Sequence, residues 1–487
     1  MRRNKQSSNR GNENKNTDMG VPSSIPACEE LVKNIFHNSS DINIQILATK
    51  KEKAMIVYVD GLINIDLIDR DIIAPLKSDS FDGYVSTALT VYCSEIKDMQ
   101  TFIKEVLQGN TAIFYGASGK ILIADIKQWD RRPVETPDAE TVTRGPREGF
   151  TESIRTNTSL LRRRIRTPDL VFENIILGRQ TNTLISIAYV QGIVNQSVLG
   201  KIKDRLSRID TDAILESGYI EQYINDNSFS LISGIGATQK PDVAAAKILE
   251  GRVAIICDGT PHVLTIPQLF IEHLQVSEDY YTQPILASIT RILRTFALMI
   301  TILLPGMAVA SGSFNQEMIA SVFLITLDSL TQKIPMPIGA EILFLVLMFE
   351  LLKEAGTRLP KPVGSAVTIV GALIIGDAAV NAGIVSAPGV IVVALTAIAG
   401  FAVSDLLEFT IIYRFLFLFL GGTMGLIGIG SGIIIMLSYL SSVCSFGVPI
   451  LSSYSKQEMK DTVLRFPLGS MRFRPITITR ENRRRRK

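Results

Sequence analysis

The chain has 487 residues, more than one ordinary domain, and a formal net charge of +3 at pH 7. Its four cysteines lie far apart, which argues against a CxxC metal pair or a disulfide framework and favours a reducing compartment. Hydropathy divides the chain near residue 290 into a part of ordinary soluble composition and a largely apolar part. The first residues are polar and lack the apolar core of a signal peptide, so we expect residues 1–26 to form a disordered tail.

An internal duplication organises the soluble part. The segment Ile56-Val-Tyr-Val-Asp-Gly-Leu-Ile-Asn64 is echoed by Ile187-Ala-Tyr-Val-Gln-Gly-Ile-Val-Asn195, with five of nine positions identical. A second echo pairs Gly109-Asn-Thr-Ala-Ile-Phe with Gly251-Arg-Val-Ala-Ile-Ile, and the two echoes occur in the same order. We therefore predict a bilobed α/β domain in which each lobe has a strand, a glycine turn, a helix and a two-stranded hairpin.

The predicted lobes comprise residues 27–142 and 170–290. Such a domain can close on a small ligand at the cleft, or it can serve as a scaffold for assembly. Gly234-Ile-Gly236-Ala-Thr-Gln lacks the spacing of a phosphate loop, the three histidines are not at metal-ligand spacing, and neither GxSxG nor HExxH occurs. We predict that the protein is not an enzyme and has no catalytic residue, metal or cofactor.

An arginine-rich connector, residues 143–169, lies between the lobes and contains seven arginines. Nucleic acid is a poor partner for it, because no aromatic residues are interleaved and the chain is predicted to lie in a membrane. An acidic partner surface and the lipid surface are the two remaining ligands. We predict an assembly surface for a partner or sister subunit, formed by Arg162, Arg163, Arg164 and Arg166.

The apolar part begins with 22 residues, Thr295 to Gln316, that carry no charge. Such a stretch is about 33 Å long as a helix, the thickness of a bilayer core. We predict a helical transmembrane domain over residues 291–452 with four to six spans, the candidates being 295–313, 336–353, 363–384, 388–405, 409–427 and 429–449. Because Glu341 and Glu350 point to opposite faces, the second candidate is tilted or broken, and Arg414 is expected to snorkel.

Positive charge predicts the orientation. Arg291 and Arg294 precede the first span, and the loop from Lys353 to Lys361 is basic. Residues 453–487 form a basic tail that we expect near anionic head groups. These segments should all be cytoplasmic, so both termini lie on one side and the number of spans is even.

One candidate span carries a regular stripe. Its residues follow at spacings of four and three, which places them on one helix face: Val363, Val367, Val370, Ile374 and Asp377. An apolar stripe that ends in a carboxylate suits a hydrophobic gate with a cation-attracting mouth. We predict that these residues line a pore; the alternative is that they face lipid, with Asp377 at the outer surface.

Four segments together resemble the A subunits of the spore germinant receptor family. They are GPREGFTESIRTNTSLLRRRIRTPDL, the paired IxYVxGxxN strands, GRVAIICDGTP and KPVGSAVTIVGALIIGDAAV, and the resemblance extends from about Ala27 to the end of the apolar region. It implies a nutrient-sensing complex in the inner membrane of a bacterial spore, with a transporter-like B subunit and a lipoprotein C subunit. It also implies a homo-oligomer that forms a ligand-gated ion channel.

Two other functions fit the same sequence. The glycine-rich run from Gly421 to Gly432 suits the discontinuous helix of a secondary transporter. The chain can also be a non-conducting scaffold for a partner transporter.

Overall fold

The computed structural model describes residues 21–22, 24–49, 52–78, 89, 91–115, 120–128, 144–227, 229–322, 324–325, 334–359, 371, 374–451, 461–471, 473–475, 478–479 and 484. The chain forms two compact units. The first, the two-lobed unit, comprises Met1–Asn225, Ile235–Pro267 and Arg474–Lys487. The second, the helical unit, comprises Asp226–Gly234 and Gln268–Phe473.

Lobe 1 is a five-stranded antiparallel sheet in the order β1-β2-β4-β5-β3, with helices on both faces. Its strands are β1 (Ile42–Ala48), β2 (Lys53–Val59), β3 (Cys93–Ile96), β4 (Thr111–Tyr115) and β5 (Ile121–Ala124). Its helices are α1 (Ile25–Ile35), α2 (Ile65–Ile68), α3 (Ala74–Lys77) and α4 (Met99–Leu107), and a π-helical turn, Asp69–Ile73, joins α2 to α3.

Strand β2 shows why this sheet is covered on both sides. Successive side chains of a strand point to opposite faces. Met55 and Val57 join the core under α1 and α4, whereas Ala54 and Ile56 join the core under α2 and α3. All four are fully buried, as the short continuous apolar run predicts.

Lobe 2 has the same strand order, β6-β7-β9-β10-β8. Its strands are β6 (Leu170–Leu177), β7 (Thr183–Val190), β8 (Gly236–Thr238), β9 (Val253–Cys257) and β10 (Val263–Ile266). Its helices are α5 (Ile154–Arg164), α6 (Gln196–Ser207), α7 (Ser217–Ile224) and α8 (Pro241–Leu249).

The predicted duplication is confirmed by the register of these sheets. Ile56 of β2 pairs with Ile113 of β4, and the echoed Ile187 of β7 pairs with Ile255 of β9. The echoed segments are therefore equivalent strands. Each sheet also has a first strand and an edge strand, β1 and β3 or β6 and β8, that the echoes did not indicate.

The arginine-rich connector contributes α5, which packs into lobe 2. Leu160 and Leu161 of α5 share a buried cluster with Phe172 of β6 and Ala244 of α8. In lobe 1 the helix before the first strand, α1, packs on the sheet in the same way through Val32. The connector thus supplies the first helix of lobe 2.

Over its described residues the helical unit contains four longer helices: α9 (Pro284–Ser313), α10 (Ile338–Arg358), α11 (Ala387–Phe401) and α12 (Leu407–Ser442). A π-helical turn, Ile374–Ala378, and an α-helical turn, Ala379–Asn381, precede α11. Short 3₁₀ turns and a two-stranded ribbon complete the unit: Phe270–Leu274, Ser277–Tyr280, Gln316–Met318, Ser404–Leu406, Leu468–Ser470, and strands Cys444–Ser445 and Val448–Pro449. Among the described residues, two helical segments are long and apolar enough to cross a membrane, Pro284–Ser313 and Ser404–Ser442.

The longest helix reverses direction at Gly425, where φ is 60° and ψ is −141°. The rings of Tyr413 and Tyr439 lie 6.4 Å apart, whereas a straight helix would separate these residues by about 39 Å. Only glycine adopts this backbone conformation without strain. Helix α12 is therefore an antiparallel hairpin of two helices, close to the boundary predicted between residues 427 and 429.

Close packing fixes this hairpin against α9. A Cβ atom on Gly306 would lie 2.5 Å from the carbonyl oxygen of Phe417, and one on Gly421 would collide with the carbonyl oxygen of Gly306. Small residues at such crossings let two helix backbones approach.

Candidate functional site

Arg162 lies at the contact between the lobes and has no exposed surface. Its Nε donates to Asp41 Oδ2 at 2.7 Å, and its Nη2 donates to Asp41 Oδ1 at 2.8 Å. The remaining donors bond the carbonyl oxygens of Thr167 and Leu170, and the guanidinium group lies 5.2 Å from the ring centroid of Phe172. A bidentate pair with further hydrogen bonds satisfies a buried charge.

This geometry corrects one part of the predicted assembly surface. Arg162 belongs to the interior of the two-lobed unit, because Asp41 precedes β1 of lobe 1 and Arg162 lies on α5 of lobe 2. It is a clasp between the lobes and presents nothing to a partner. The direction of one side chain in a run of arginines depends on helix phase, which the run itself does not reveal.

The other three arginines of the predicted surface lie closer to solvent. Arg163 and Arg164 both pair with Glu148, with N–O distances of 3.5 and 2.7 Å. Arg166 is exposed and donates from Nε to the carbonyl oxygen of Arg163. These side chains remain candidates for contact with a partner.

The candidate pore stripe falls largely outside the described residues. This holds for Val363, Val367 and Val370, and Ile374 is described only as part of the π-helical turn. Asp377 lies in the same turn, is exposed, and accepts a hydrogen bond from Asn381 Nδ2 at 2.9 Å. Single π-helical turns are frequent at functional sites, which draws attention to this carboxylate.

A buried ion pair joins three helices of the helical unit. Arg414 of α12 donates from Nη1 to Glu350 Oε1 of α10 at 2.5 Å and from Nε to the carbonyl oxygen of Thr301 on α9 at 3.2 Å. Lys353 adds a contact of 2.6 Å to the other oxygen of Glu350. The prediction that Arg414 snorkels is wrong, because its side chain points inward and is only 4% exposed.

The second carboxylate of α10 caps another helix. Glu341 Oε1 accepts hydrogen bonds from the backbone N–H and the hydroxyl group of Ser386, both at 2.6 Å. Ser386 is the N-cap of α11 and also accepts from the N–H of Gly389. A negative charge at a helix N-terminus is favourable. Glu341 and Glu350 therefore both have partners, and α10 is one continuous helix rather than a broken span.

A polar network anchors the first turns of α9. Arg291 and Arg294 both donate to Asp279, at 2.9 and 2.8 Å, and Arg291 also pairs with Asp461 at 3.0 Å. Burial by itself raises the pKa of the Asp279 carboxyl, but the hydrogen bonds from the two arginines outweigh it and hold that pKa below its usual value. The residues after α12 thus return to the start of α9 at Asp461.

The glycine-rich run does not have the form that a transporter site would need. Gly425 turns the chain, and Gly428 and Gly432 let the second half of α12 pack on the first, since a Cβ atom on Gly432 would lie 2.7 Å from the ring of Phe417. The run is therefore the tip of a hairpin and does not break a span.

Known proteins are similar to this chain over most of its length. Residues 30–477 match the family described as Bacillus/Clostridium GerA spore germination protein. The chain is 39% identical over 463 residues to spore germination protein KA of Bacillus subtilis (strain 168), which covers 92% of this chain and 85% of that protein. It is 38% identical to the uncharacterized membrane protein YfkQ of the same strain, covering 88% of this chain and 86% of that protein.

A solved structure also matches the chain. It is the N-terminal domain of the A subunit of the Bacillus megaterium spore germinant receptor GerK3, with 31% sequence identity and a TM-score of 0.41, and it covers 52% of this chain and 98% of that domain.

The family match and the relatives place the chain among spore germination proteins. The chain belongs to the GerA spore germination family, because the family match extends over nearly its whole length. Several of its relatives are A-type germination proteins, which supports a role in germination and association with a spore membrane.

Proposed function

We propose that this protein is the membrane subunit of a nutrient germinant receptor in the spore inner membrane. It oligomerises into a nutrient-gated ion channel and works with a transporter-like B subunit and a lipoprotein C subunit. Family membership supports the role in germination. The observation that carries the channel is Asp377, an exposed carboxylate in a π-helical turn, while Glu341 and Glu350 are satisfied inside the unit.

Alternating helix directions in the helical unit support several membrane crossings. Gly339, at the start of α10, lies beside Val309 near the end of α9. Ser386, just before α11, bonds Glu341 near the start of α10. The tip of the α12 hairpin lies beside Asn315, which follows α9. One end of the unit thus holds the end of α9, the starts of α10 and α11, and the tip of α12.

The same geometry favours an additional crossing between α10 and α11. Helix α10 has 21 residues and is about 32 Å long, and the chain leaves it at Arg358. Because Ser386 lies beside the start of α10, this geometry favours the predicted span 363–384, of which residues 363–370 lie outside the described residues. With the two halves of α12 the proposed spans number six, an even number.

An even number of crossings puts both termini on one side, which the basic segments predict to be the cytoplasm. The exposed Cys444 follows α12 and tests this orientation. A membrane-impermeant thiol reagent applied outside sealed membranes should leave Cys444 unlabelled until the membranes are opened. Labelling of sealed membranes would reverse the proposed topology.

Ion flux through the assembled complex tests the channel. In proteoliposomes, Asp377→Asn should lower cation flux in the presence of nutrient, because it removes the charge and keeps the shape. Val367→Ala should raise flux without nutrient, since a dewetted gate depends on side-chain volume. Asp405→Asn is a matched control, because Asp405 is an exposed carboxylate at the opposite end of α11.

The outcomes distinguish the three functions. Gated passive flux that responds to Asp377→Asn but not to Asp405→Asn supports the channel. Coupled uptake of a substrate would indicate a transporter, and no flux in a correctly assembled complex would indicate a scaffold. Gated flux that neither Asp377→Asn nor Val367→Ala changes would place the pore elsewhere.

We also propose that Arg163, Arg164 and Arg166 contact an acidic surface of a partner subunit. Changing these three residues to Gln, with Arg162 kept, should reduce recovery of the complex in pull-downs. Arg179→Gln is the control, since Arg179 is an exposed arginine elsewhere in lobe 2. An unchanged complex that no longer binds liposomes would favour the lipid surface.

A further inference from the structure

Each lobe has a site at an equivalent place that is covered by another segment of the chain. The covering segment differs between the two lobes. In lobe 1 this position lies between Asn64, at the end of the first echo, and Gly109, at the start of the second. The residues that follow β5 cover it. Asn64 Nδ2 donates to Gln128 Oε1 at 2.9 Å, the N–H of Gln128 donates to the carbonyl oxygen of Leu62 at 3.2 Å, and Lys127 forms a bridge with Ile63.

In lobe 2 the corresponding residues are Asn195 and Gly251. The chain after β10 leaves this lobe at Pro267 and enters the helical unit. Asn195 Nδ2 donates to the carbonyl oxygen of Ile478, 283 residues further along the chain, at 3.3 Å.

The C-terminal segment fits this position closely. Ile478 and Thr479 have no exposed surface, although they lie in a basic tail that the sequence predicted to be near lipid head groups. The N–H and the hydroxyl group of Thr479 both donate to the carbonyl oxygen of Pro475 at 3.0 Å. Arg474 Nε donates to the carbonyl oxygen of Leu249 at 2.9 Å.

Gly251 makes the close approach possible. Its φ of +97° is a backbone conformation that residues with a side chain rarely adopt. A Cβ atom there would collide with Cγ2 of Thr479 and lie 2.9 Å from the carbonyl oxygen of Ile193. The position is thus a socket that accepts one turn of peptide and has no room for a side chain at residue 251.

We propose that lobe 2 carries a peptide-binding site, the tail socket, formed by Ile193, Asn195, Leu249 and Gly251. Its occupant is this chain's own C-terminal segment, through Arg474, Pro475, Ile478 and Thr479. The segment completes lobe 2 as residues 127–128 complete lobe 1. Docking holds the chain on lobe 2 after the last of its passages between the units, at residues 473–474, in addition to the passages at 225–226, 234–235 and 267–268.

The tail socket has a property that its counterpart in lobe 1 lacks. Residues 127–128 follow β5 directly, whereas the tail reaches lobe 2 through a separate part of the chain. Intramolecular docking of a tethered segment benefits from a millimolar effective concentration, so a single turn can be mostly bound yet able to leave. Occupancy of the socket can therefore change without unfolding lobe 2.

A peptide titration on the detergent-solubilised chain tests the socket. The probe is a fluorescein-labelled peptide with the sequence of residues 474–484. A chain that ends at Phe473 should bind it saturably, whereas the full chain should need at least about tenfold more peptide, because its own tail competes. The same peptide with Ile478→Asp should not bind, since the buried side chain has become charged.

Two glycines provide a matched pair of variants in the shortened chain. Gly251→Ala should abolish peptide binding. Gly259→Ala should leave it unchanged, because Gly259 also has a positive φ, +87°, but a Cβ atom there would meet nothing within 4 Å. Absence of binding to the shortened chain, or binding that survives Gly251→Ala, would overturn the proposal.

Thiol accessibility in the full-length chain covers the case in which the shortened chain fails to fold. With Cys93 and Cys444 replaced by Ser, Ile478→Cys should be labelled at least tenfold more slowly than Phe473→Cys, and adding Gly251→Ala should remove this protection. Equal labelling rates would contradict docking. Capture of the shortened chain by a full chain carrying Gly251→Ala would show that the tail is donated to a second copy, which would overturn docking within one chain.

Discussion

Lobe 1 and lobe 2 have the same strand order and register, but they are connected to the rest of the chain in different ways. The chain passes between its two units at residues 225–226, 234–235, 267–268 and 473–474. Each of these points lies in lobe 2 or in the tail that docks on it. Every covalent connection between the units therefore leads to lobe 2.

Lobe 1 is joined to lobe 2 mainly through α5. Arg162 reaches Asp41, Arg155 pairs with Asp60 at 2.9 Å, and the hydroxyl group of Ser39 accepts from the N–H of Phe172 at 3.0 Å. Lobe 2 is thus the lobe connected to the helical unit, whereas lobe 1 is held to lobe 2 by a buried charge pair. The difference lies in the connections and not in the sheets.

Breaking the clasp should have the largest effect on this arrangement. Arg162→Gln leaves Asp41 buried without its cation, and loss of one partner of a buried pair costs about 3–5 kcal/mol. Hydrogen exchange of β2 in the full chain should show lobe 1 opening more easily by that amount. Arg166→Gln, at an exposed position, should change the opening free energy by less than about 0.5 kcal/mol. Equal effects of the two substitutions would show that the pair does not hold the lobes together.

Replacing the two equivalent glycines by alanine should give the second-largest difference in stability between the lobes. Gly109 and Gly251 both have positive φ, so Ala costs about 1–2 kcal/mol at either position. At residue 251 the Cβ atom also displaces Thr479, which should add about 1–3 kcal/mol in the full chain. Hydrogen exchange of β4 and β9 measures the two costs. In a chain that ends at Phe473 the difference should shrink to what the contact of the Cβ atom with the carbonyl oxygen of Ile193 causes, and an unchanged difference would argue against the tail as its main cause.

The asparagine N-caps of the two lobes should differ by a smaller amount of stability. Asn64 and Asn195 each accept a hydrogen bond from a backbone N–H of the following helix, and each donates from Nδ2 to the segment that closes its lobe. Asp preserves the acceptor and removes the donor. Asn195→Asp should destabilise the docked tail by about 1–3 kcal/mol because the site is buried, whereas Asn64→Asp should cost less than about 1 kcal/mol.

The effect of Asn195→Asp is measured by the protection of an Ile478→Cys thiol relative to Phe473→Cys. The effect of Asn64→Asp is measured by hydrogen exchange of residues 126–128. A larger loss of stability from Asn64→Asp than from Asn195→Asp would contradict the stronger role given to Asn195.

The sequence predicts those parts of the fold that depend on local repetition. The echoes identify equivalent strands because β2 and β7 must each bury both faces, and the same apolar side chains recur for that reason. The charge-free stretch likewise identifies α9. Both signals are contained in short, continuous segments of the sequence.

The clasp and the tail socket depend on partners that are distant in sequence. Nothing distinguishes Arg162 from Arg163 until α5 is placed against Asp41, 121 residues earlier. Ile478 and Thr479 lie in a basic tail whose composition indicates solvent or lipid. The echo pairs Asn64 with Asn195, but it does not indicate that the segment bonded to Asn195 is the C-terminal one.

The smallest expected effect concerns thiol reactivity in the two lobes and involves no change in stability. Cys257 lies at the end of β9, where lobe 1 has Tyr115, and has no exposed surface. Burial, with a lesser contribution from Glu216 and Asp258, raises the pKa of its thiol to about 12. Because the thiolate is the reactive form, roughly one such thiol in 10⁴ is ionised at pH 8. Cys93 of the edge strand β3 is partly exposed, and Cys444 is exposed.

Iodoacetamide at pH 8 should therefore label Cys444 first, Cys93 more slowly, and Cys257 only after denaturation, as followed by mass spectrometry of peptides. A raised pKa predicts that labelling of native Cys257 remains negligible up to about pH 10. Labelling of Cys257 at the rate of Cys93 would mean that lobe 2 opens as readily as the edge of lobe 1. That result would contradict the closed packing of β9 inside lobe 2.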